Sequence, residues 1–264
     1  MPTATLSDVE LYYEEAGRGS PLLFVSGTGG DLRQRPNVFD GPLPRHFRVV
    51  AYDQRGLGQS SVPPGPYTMT QYGDDAAGLL GHLGIDRASV VGASFGGMVA
   101  QELAVAHPDR VERLVLACTS AGGAGGSSYP LHELVELAPD ERAAVSIRLA
   151  DVRIDDAWVQ ANPERWQALV ATRRPEHDDP HRKEGARLQL EARRGHDAWG
   201  RLGSISCPTL VCGGKYDGIA PRANSENLAR AIPGARLAMF EGGHMFLVQD
   251  KAALSEIIAF LTEA

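Results

Sequence analysis

Along the chain, short runs of aliphatic and β-branched residues alternate with longer stretches whose apolar positions recur at helical spacing. That alternation predicts a parallel sheet covered by helices. Thr3–Glu15 reads as an opening hairpin, and Leu22–Ser26, Phe47–Asp53, Ala88–Ala93 and Val111–Cys118 read as strands. Thr70–Leu83 has helical periodicity, with Thr70 placed to act as its N-cap. Ser94–His107 reads as a helix stopped by Pro108. The same pattern returns late in the chain. It gives a strand at Pro208–Gly213, a helix at Arg222–Ala231, a strand at Arg236–Phe240 and a last helix at Gln249–Leu261.

Between Gly122 and Gly203 the strand signal disappears. Gly122, Gly123, Gly125 and Gly126, followed by Ser127 and Ser128, read as a mobile loop leading into this stretch. Pro139, Pro163 and Pro180 then mark helix starts, because proline suits the first helical position. A strandless segment of this length predicts a helical cap at residues 122–203, inserted into an α/β core of residues 1–121 and 204–264.

Composition narrows the setting. The chain has 264 residues, 43% of them hydrophobic, enough for one large core. A formal net charge of -7 argues against nucleic acid or an anionic membrane as partner, since both need clustered Lys and Arg. No apolar run approaches the ~20 residues of a membrane span. The first residues, with Asp8 and Glu10 and no basic start, lack the pattern of a secretory signal. The three cysteines, Cys118, Cys207 and Cys212, form no CxxC pair and read as reduced, buried thiols of a cytoplasmic protein.

The sharpest local pattern is Gly92-Ala93-Ser94-Phe95-Gly96-Gly97, a G-x-S-x-G turn between a predicted strand and a predicted helix. A serine on so tight a turn needs neighbours without side chains, or strand and helix collide. It also needs a base to become a nucleophile. Of the eight histidines, His244 alone lies in a loop between a late strand and the final helix, after Gly242 and Gly243. The imidazole needs an acid on its other nitrogen. Asp217 follows the strand that ends at Gly213, whereas the preceding core strand ends Cys118-Thr119-Ser120 with no carboxylate. An oxyanion formed at Ser94 would be met by the amide of Phe95, at a helix N-terminus. The second donor is expected from Ser26-Gly27-Thr28-Gly29-Gly30: the amide of Thr28, with Gly29 as rival. His177 and His181, in His-Asp-Asp-Pro-His, read as a solvated loop rather than a metal site.

These residues, in the order Ser…Asp…His, resemble the α/β-hydrolase superfamily over nearly the whole chain. Asp53-Gln54-Arg55-Gly56-Leu57-Gly58-Gln59-Ser60 is similar to that family's D-x-R-G-x-G-x-S turn. Gly92–Met98 and His107-Pro108-Asp109-Arg110-Val111 look closest to 3-oxoadipate enol-lactonases and related small esterases. The resemblance implies an α/β-hydrolase fold with a mostly parallel sheet, and a serine hydrolase that uses no cofactor or metal. It implies a small-molecule ester or lactone as substrate. Carbon–carbon bond hydrolysis, perhydrolase or haloperoxidase chemistry, and a ligand-binding receptor are the other outcomes this fold allows. In the cap, Trp158, Trp166 and Trp199 read as cap core. Arg173, Arg174, Arg187, Arg193 and Arg194 read as a solvated helix face; the other reading is a pocket for an anionic substrate.

Overall fold

Strand residues that are apolar on both faces need a helical layer on each side, and the chain supplies both. The structure, a computed structural model, describes residues 2–172 and 179–263. Among these, β1 (Thr3–Thr5), β2 (Glu10–Ala16), β3 (Pro21–Val25), β4 (Arg48–Tyr52), β5 (Ala88–Ala93), β6 (Val111–Ala117), β7 (Thr209–Gly214) and β8 (Arg236–Phe240) form one sheet. Its order is β1-β2-β4-β3-β5-β6-β7-β8. The β1–β2 hairpin and the β2–β4 pair are antiparallel, and every later pair is parallel.

Parallel neighbours require long crossovers, and helices supply several of them. Helix α1 (Met69–His82) leads into β5, and α2 (Phe95–Ala106) joins β5 to β6. Between β6 and β7 come α3 (Pro139–Ala150), α4 (Asp156–Ala161), α5 (Pro163–Thr172) and α6 (Pro180–Arg194). Helix α7 (Arg222–Ala231) joins β7 to β8, and α8 (Phe246–Gln249) and α9 (Lys251–Leu261) close the chain. Side chains alternate across the sheet. Val90 packs among Tyr72, Leu79 and Leu103 of α1 and α2, while Val91 packs with Ile257 and Phe260 of α9. Cys207 and Cys212 fall in these two opposite layers, and all three cysteines are free and buried.

The starts of α1 and of the last helix differ from the sequence expectation in a way their caps explain. Thr70 lies inside α1; the cap is Thr68, whose Oγ1 accepts the Gln71 N–H at 3.2 Å while Gln71 Oε1 accepts the Thr68 N–H at 2.9 Å. This reciprocal box satisfies two otherwise orphaned groups, an advantage that Thr70, with Gly73 in the matching place, lacks. The last helix starts at Lys251 rather than Gln249, because the Asp250 carboxylate caps it through the Ala252 N–H at 2.9 Å.

Between β6 and β7, the strand-like pairing among the described residues is one isolated bridge, Gly122 with Asp197. The returning chain is fixed to the core by Arg201, which donates two bonds of 2.7 Å to Glu102 on α2. No described helix is long and apolar enough to cross a membrane.

Candidate active site

Ser94 sits between β5 and α2 at φ 56° and ψ -117°, where residues with a side chain are strained. The turn is held by bonds on both sides. Its N–H donates to the Ala117 carbonyl at 2.8 Å, and its carbonyl accepts from Thr119 Oγ1 at 2.7 Å and from the Gly97 N–H at 2.9 Å. The flanking glycines are steric necessities. A Cβ on Gly92 would come within 2.3 Å of the Gly96 carbonyl oxygen, and one on Gly96 within 2.0 Å of the Val25 carbonyl oxygen.

His244 Nε2 lies 2.8 Å from Ser94 Oγ, and His244 Nδ1 lies 2.8 Å from Asp217 Oδ2. The other Asp217 oxygen accepts the N–H groups of Ile219 and Ala220, each at 2.8 Å. A carboxylate only accepts, so the ring proton belongs on Nδ1 and leaves Nε2 to accept from the serine hydroxyl. The structure therefore brings together the three side chains that the sequence singles out from separate loops. The loops themselves are tied by the end of α3. The Ala150 carbonyl accepts the His244 N–H at 2.6 Å, and the Leu149 carbonyl accepts the Gly218 N–H at 2.9 Å. The last carbonyls of a helix have no partner within it, and here they are spent on the acid loop and the base loop.

The loop after β3 passes directly over the serine: a Cβ on Gly27 would stand 3.3 Å from Ser94 Cβ and 3.8 Å from Oγ. The Gly29 N–H is taken by Gln189 Oε1 of α6 at 3.0 Å. Among the described residues, the amides of Thr28 and Phe95 donate to no protein acceptor. The base of this loop is fixed by Gln54 Nε2, which donates to the Ser26 carbonyl at 2.8 Å. Asp53 holds its far end, accepting from the Leu32 N–H at 2.7 Å and, through its other oxygen, from the Gln59 N–H at 2.8 Å. Burial raises the Asp53 pKa, against the lowering effect of those two backbone bonds.

Gln189 escaped the sequence reading although its signal was present. It shares with Gly185, Leu188 and Ala192 the buried phase of α6, where a polar side chain must find a partner. The carbonyls of Leu149 and Ala150 carry no residue-type signal. Of the arginines singled out between Gly122 and Gly203, Arg187 is exposed and paired with Glu184 and Glu191, as a solvated face requires. Arg193 departs from that expectation: it is buried, and it lines a cavity of about 170 Å³ with Met98, Ser120, Ser128, His132 and His196. None of Ser94, Asp217 and His244 lines that cavity, but Met98, four residues after Ser94, does. Trp158, Trp166 and Trp199 are half-buried. Arg173, Arg174 and His177 lie outside the described residues, and His181 is exposed on α6.

His196 gives this region a measurable acid sensitivity. Burial pushes its pKa from 6.5 down to about 4, although Glu102 lies 3.6 Å from Nδ1 and pulls the other way. The folded state thus holds a neutral ring where the unfolded chain takes up a proton. Stability is full above the unfolded pKa and falls as the pH drops from about 6.5 towards 4. On going from pH 6.5 to 5, roughly 1.5 kcal/mol of unfolding free energy should be lost through this residue. Urea unfolding of wild type and His196→Asn at the two pH values measures it. Equal losses in the two proteins would show that His196 is not the source.

Comparison with known proteins places this geometry in a family. Residues 20–251 match the alpha/beta hydrolase fold family, and the chain belongs to it. It is a hydrolase. RutD from Azorhizobium caulinodans, provisionally assigned as a carbamate hydrolase, is 31% identical over 98% of this chain and 97% of its own length. A 2-hydroxymuconate semialdehyde hydrolase from Pseudomonas putida is 29% identical over 95% of this chain and 90% of its own. Among solved structures, the enol-lactonase from Burkholderia xenovorans superposes with a TM-score of 0.81 at 28% identity, covering 99% of this chain and 100% of that one.

Proposed function

We propose that the protein hydrolyses a carboxylic ester or lactone of a small molecule through an acyl-enzyme on Ser94. The observation that carries this reading is the unbroken hydrogen-bonded line from Asp217 through His244 to Ser94 Oγ, with both contacts at 2.8 Å. Ser94 Oγ attacks the carbonyl carbon as its proton passes to His244 Nε2. Asp217 steadies the imidazolium that forms. The oxyanion lies between the free amides of Phe95 and Thr28, and the α2 dipole favours the charge there. His244 then protonates the leaving alkoxide. Water enters, gives its proton to the same nitrogen, and splits the acyl-enzyme to the acid and free Ser94. With a lactone the alcohol stays attached to the acyl chain. The chain supplies the nucleophile, the base, the orienting acid and both oxyanion donors in this scheme.

The helices between β6 and β7 act as a cap in this scheme. Gln189 on α6 occupies the Gly29 amide and so leaves that of Thr28 as the second donor of the oxyanion hole. The end of α3 aligns the acid and base loops.

Carbon–carbon bond hydrolysis is the second reading, favoured by the similarity to 2-hydroxymuconate semialdehyde hydrolase. There the leaving group is a carbon atom that must be protonated, a further task for the same imidazole. One panel on the purified protein separates the readings: short p-nitrophenyl esters, simple lactones, a carbamate and a vinylogous dienol acid. The expected outcome is the highest kcat/KM on an ester or lactone. Turnover of the dienol acid alone would replace this reading with the second. A single slow turnover on every substrate would indicate a ligand-binding protein.

A further inference from the structure

We propose that the cavity beside Ser94 is an anion subsite, in which Arg193 receives a carboxylate carried by the substrate a few bonds from the scissile carbonyl. This deepens the hydrolase reading above and rests on it for the reaction, though not for the binding. Two buried guanidinium groups of the chain, Arg55 and Arg193, are met differently. Arg55 is 2% exposed and meets two carboxylates, with Asp75 Oδ2 2.6 Å from Nε and Asp8 Oδ1 3.1 Å from Nη2. Arg193 is 6% exposed and, among the described residues, meets none. Its Nη1 donates to the Tyr129 carbonyl at 2.9 Å and its Nη2 to Ser128 Oγ at 2.6 Å. Its Nε is buried without a partner. Burial pushes its pKa down to about 10, with no opposing charge to restore it. A buried cation left in this state is costly, and the natural remedy is an anion.

The space for that anion adjoins it. No carboxylate is among the residues lining the cavity of about 170 Å³, whereas Arg193 and the exposed Arg194 both are. One water needs only ~10–15 Å³ by such a measure, so a carboxylate with a short stem fits. Further polar atoms of the lining face no protein partner: Ser120 Oγ, His132 Nδ1 and both ring nitrogens of His196 are buried and unsatisfied. Ser128 Oγ accepts from Arg193, so its own proton is free to be donated. The cavity also lies within reach of the chemistry. Met98 lines it and sits about one helical turn, roughly 6 Å of rise, beyond Ser94 on α2. Helical side chains lean towards the N-terminus, which carries Met98 back towards the level of the serine.

The test uses two esters of equal acyl length. p-Nitrophenyl hemiglutarate ends in a carboxylate, and p-nitrophenyl valerate ends in a methyl group. After subtraction of the uncatalysed rate, which the neighbouring carboxylate raises, wild type should favour the hemiglutarate in kcat/KM. In Arg193→Gln, which keeps a donor but not the charge, the ratio of acid to neutral ester should fall roughly tenfold to a hundredfold. Arg193→Lys should keep part of it. A purely structural arginine tying the loop at Tyr129 would lower both rates together and leave the ratio unchanged. Free glutarate gives a readout independent of turnover: by calorimetry it should bind wild type and not Arg193→Gln, with folding of both checked by circular dichroism. If neither ester is turned over, the ester reading fails, while glutarate binding still decides the subsite. An unchanged ester ratio together with equal or absent glutarate binding in the two proteins overturns the proposal.

Discussion

Ser94→Ala is expected to keep the fold and lose at least about 10³-fold in turnover. The substitution removes one oxygen, whose hydrogen bond goes to His244 Nε2. It leaves the Cβ that already fits the turn, and it leaves the backbone bonds to Ala117, Thr119 and Gly97 that hold φ at 56°. Stability should therefore change little. The residual rate would come from substrate binding and from the amides of Phe95 and Thr28, which the substitution does not touch. Turnover on the best ester of the panel measures the effect, with circular dichroism and urea unfolding as controls. A fluorophosphonate should label wild type at Ser94 alone, as read by peptide mass mapping, and should leave the variant unlabelled. A properly folded variant that retained more than about a tenth of the rate would remove Ser94 from the role of nucleophile.

Much of this architecture was legible because its physical causes act locally. β3, β5, β6 and β7 read as strands because they are apolar on both faces, which only a sheet covered on both sides demands. The turn at Ser94 was legible because a glycine forced by a collision, as at Gly92 and Gly96, leaves a fixed spacing in the sequence. His244 and Asp217 were singled out by following strand ends, since side chains in those loops converge at one edge of such a sheet. Helix boundaries were less legible. Thr68 and Thr70 both suit a cap, and only the reciprocal bond with Gln71 decides between them. The supports from α3 were not legible at all, because the carbonyls of Leu149 and Ala150 look the same whatever residue carries them. Arg193 lies between these cases. It follows Gly185 and Gln189 on the buried phase of α6, while Arg187 points to solvent and pairs with Glu184 and Glu191. The periodicity that separates the two arginines was in the sequence, but their shared residue type suggested one fate for both.

Asp217→Asn should also be severe, about 10⁴-fold in turnover by analogy with the same change in a serine protease. The geometry here gives the reason. One Asp217 oxygen accepts both the Ile219 and the Ala220 N–H, so the asparagine side chain should place its carbonyl oxygen there. Its NH₂ group then faces His244 Nδ1, where the carboxylate now accepts. An amide donating to Nδ1 forces the ring proton onto Nε2, the atom 2.8 Å from Ser94 Oγ. That nitrogen becomes a donor to the serine and can no longer take its proton. The change also removes the negative charge that stabilises the imidazolium as it forms. The acid beside the base loop is already engaged. Asp151, next to the Ala150 carbonyl that holds the His244 amide, is committed to Arg153 at 2.6 and 2.8 Å and to Gln249 Nε2 at 3.1 Å. The loop contacts survive the exchange, so the variant should fold and bind substrate with turnover as the quantity lost. Steady-state kinetics on the same ester decides the matter: a kcat within about tenfold of wild type would mean that His244 takes its orientation from a group other than Asp217.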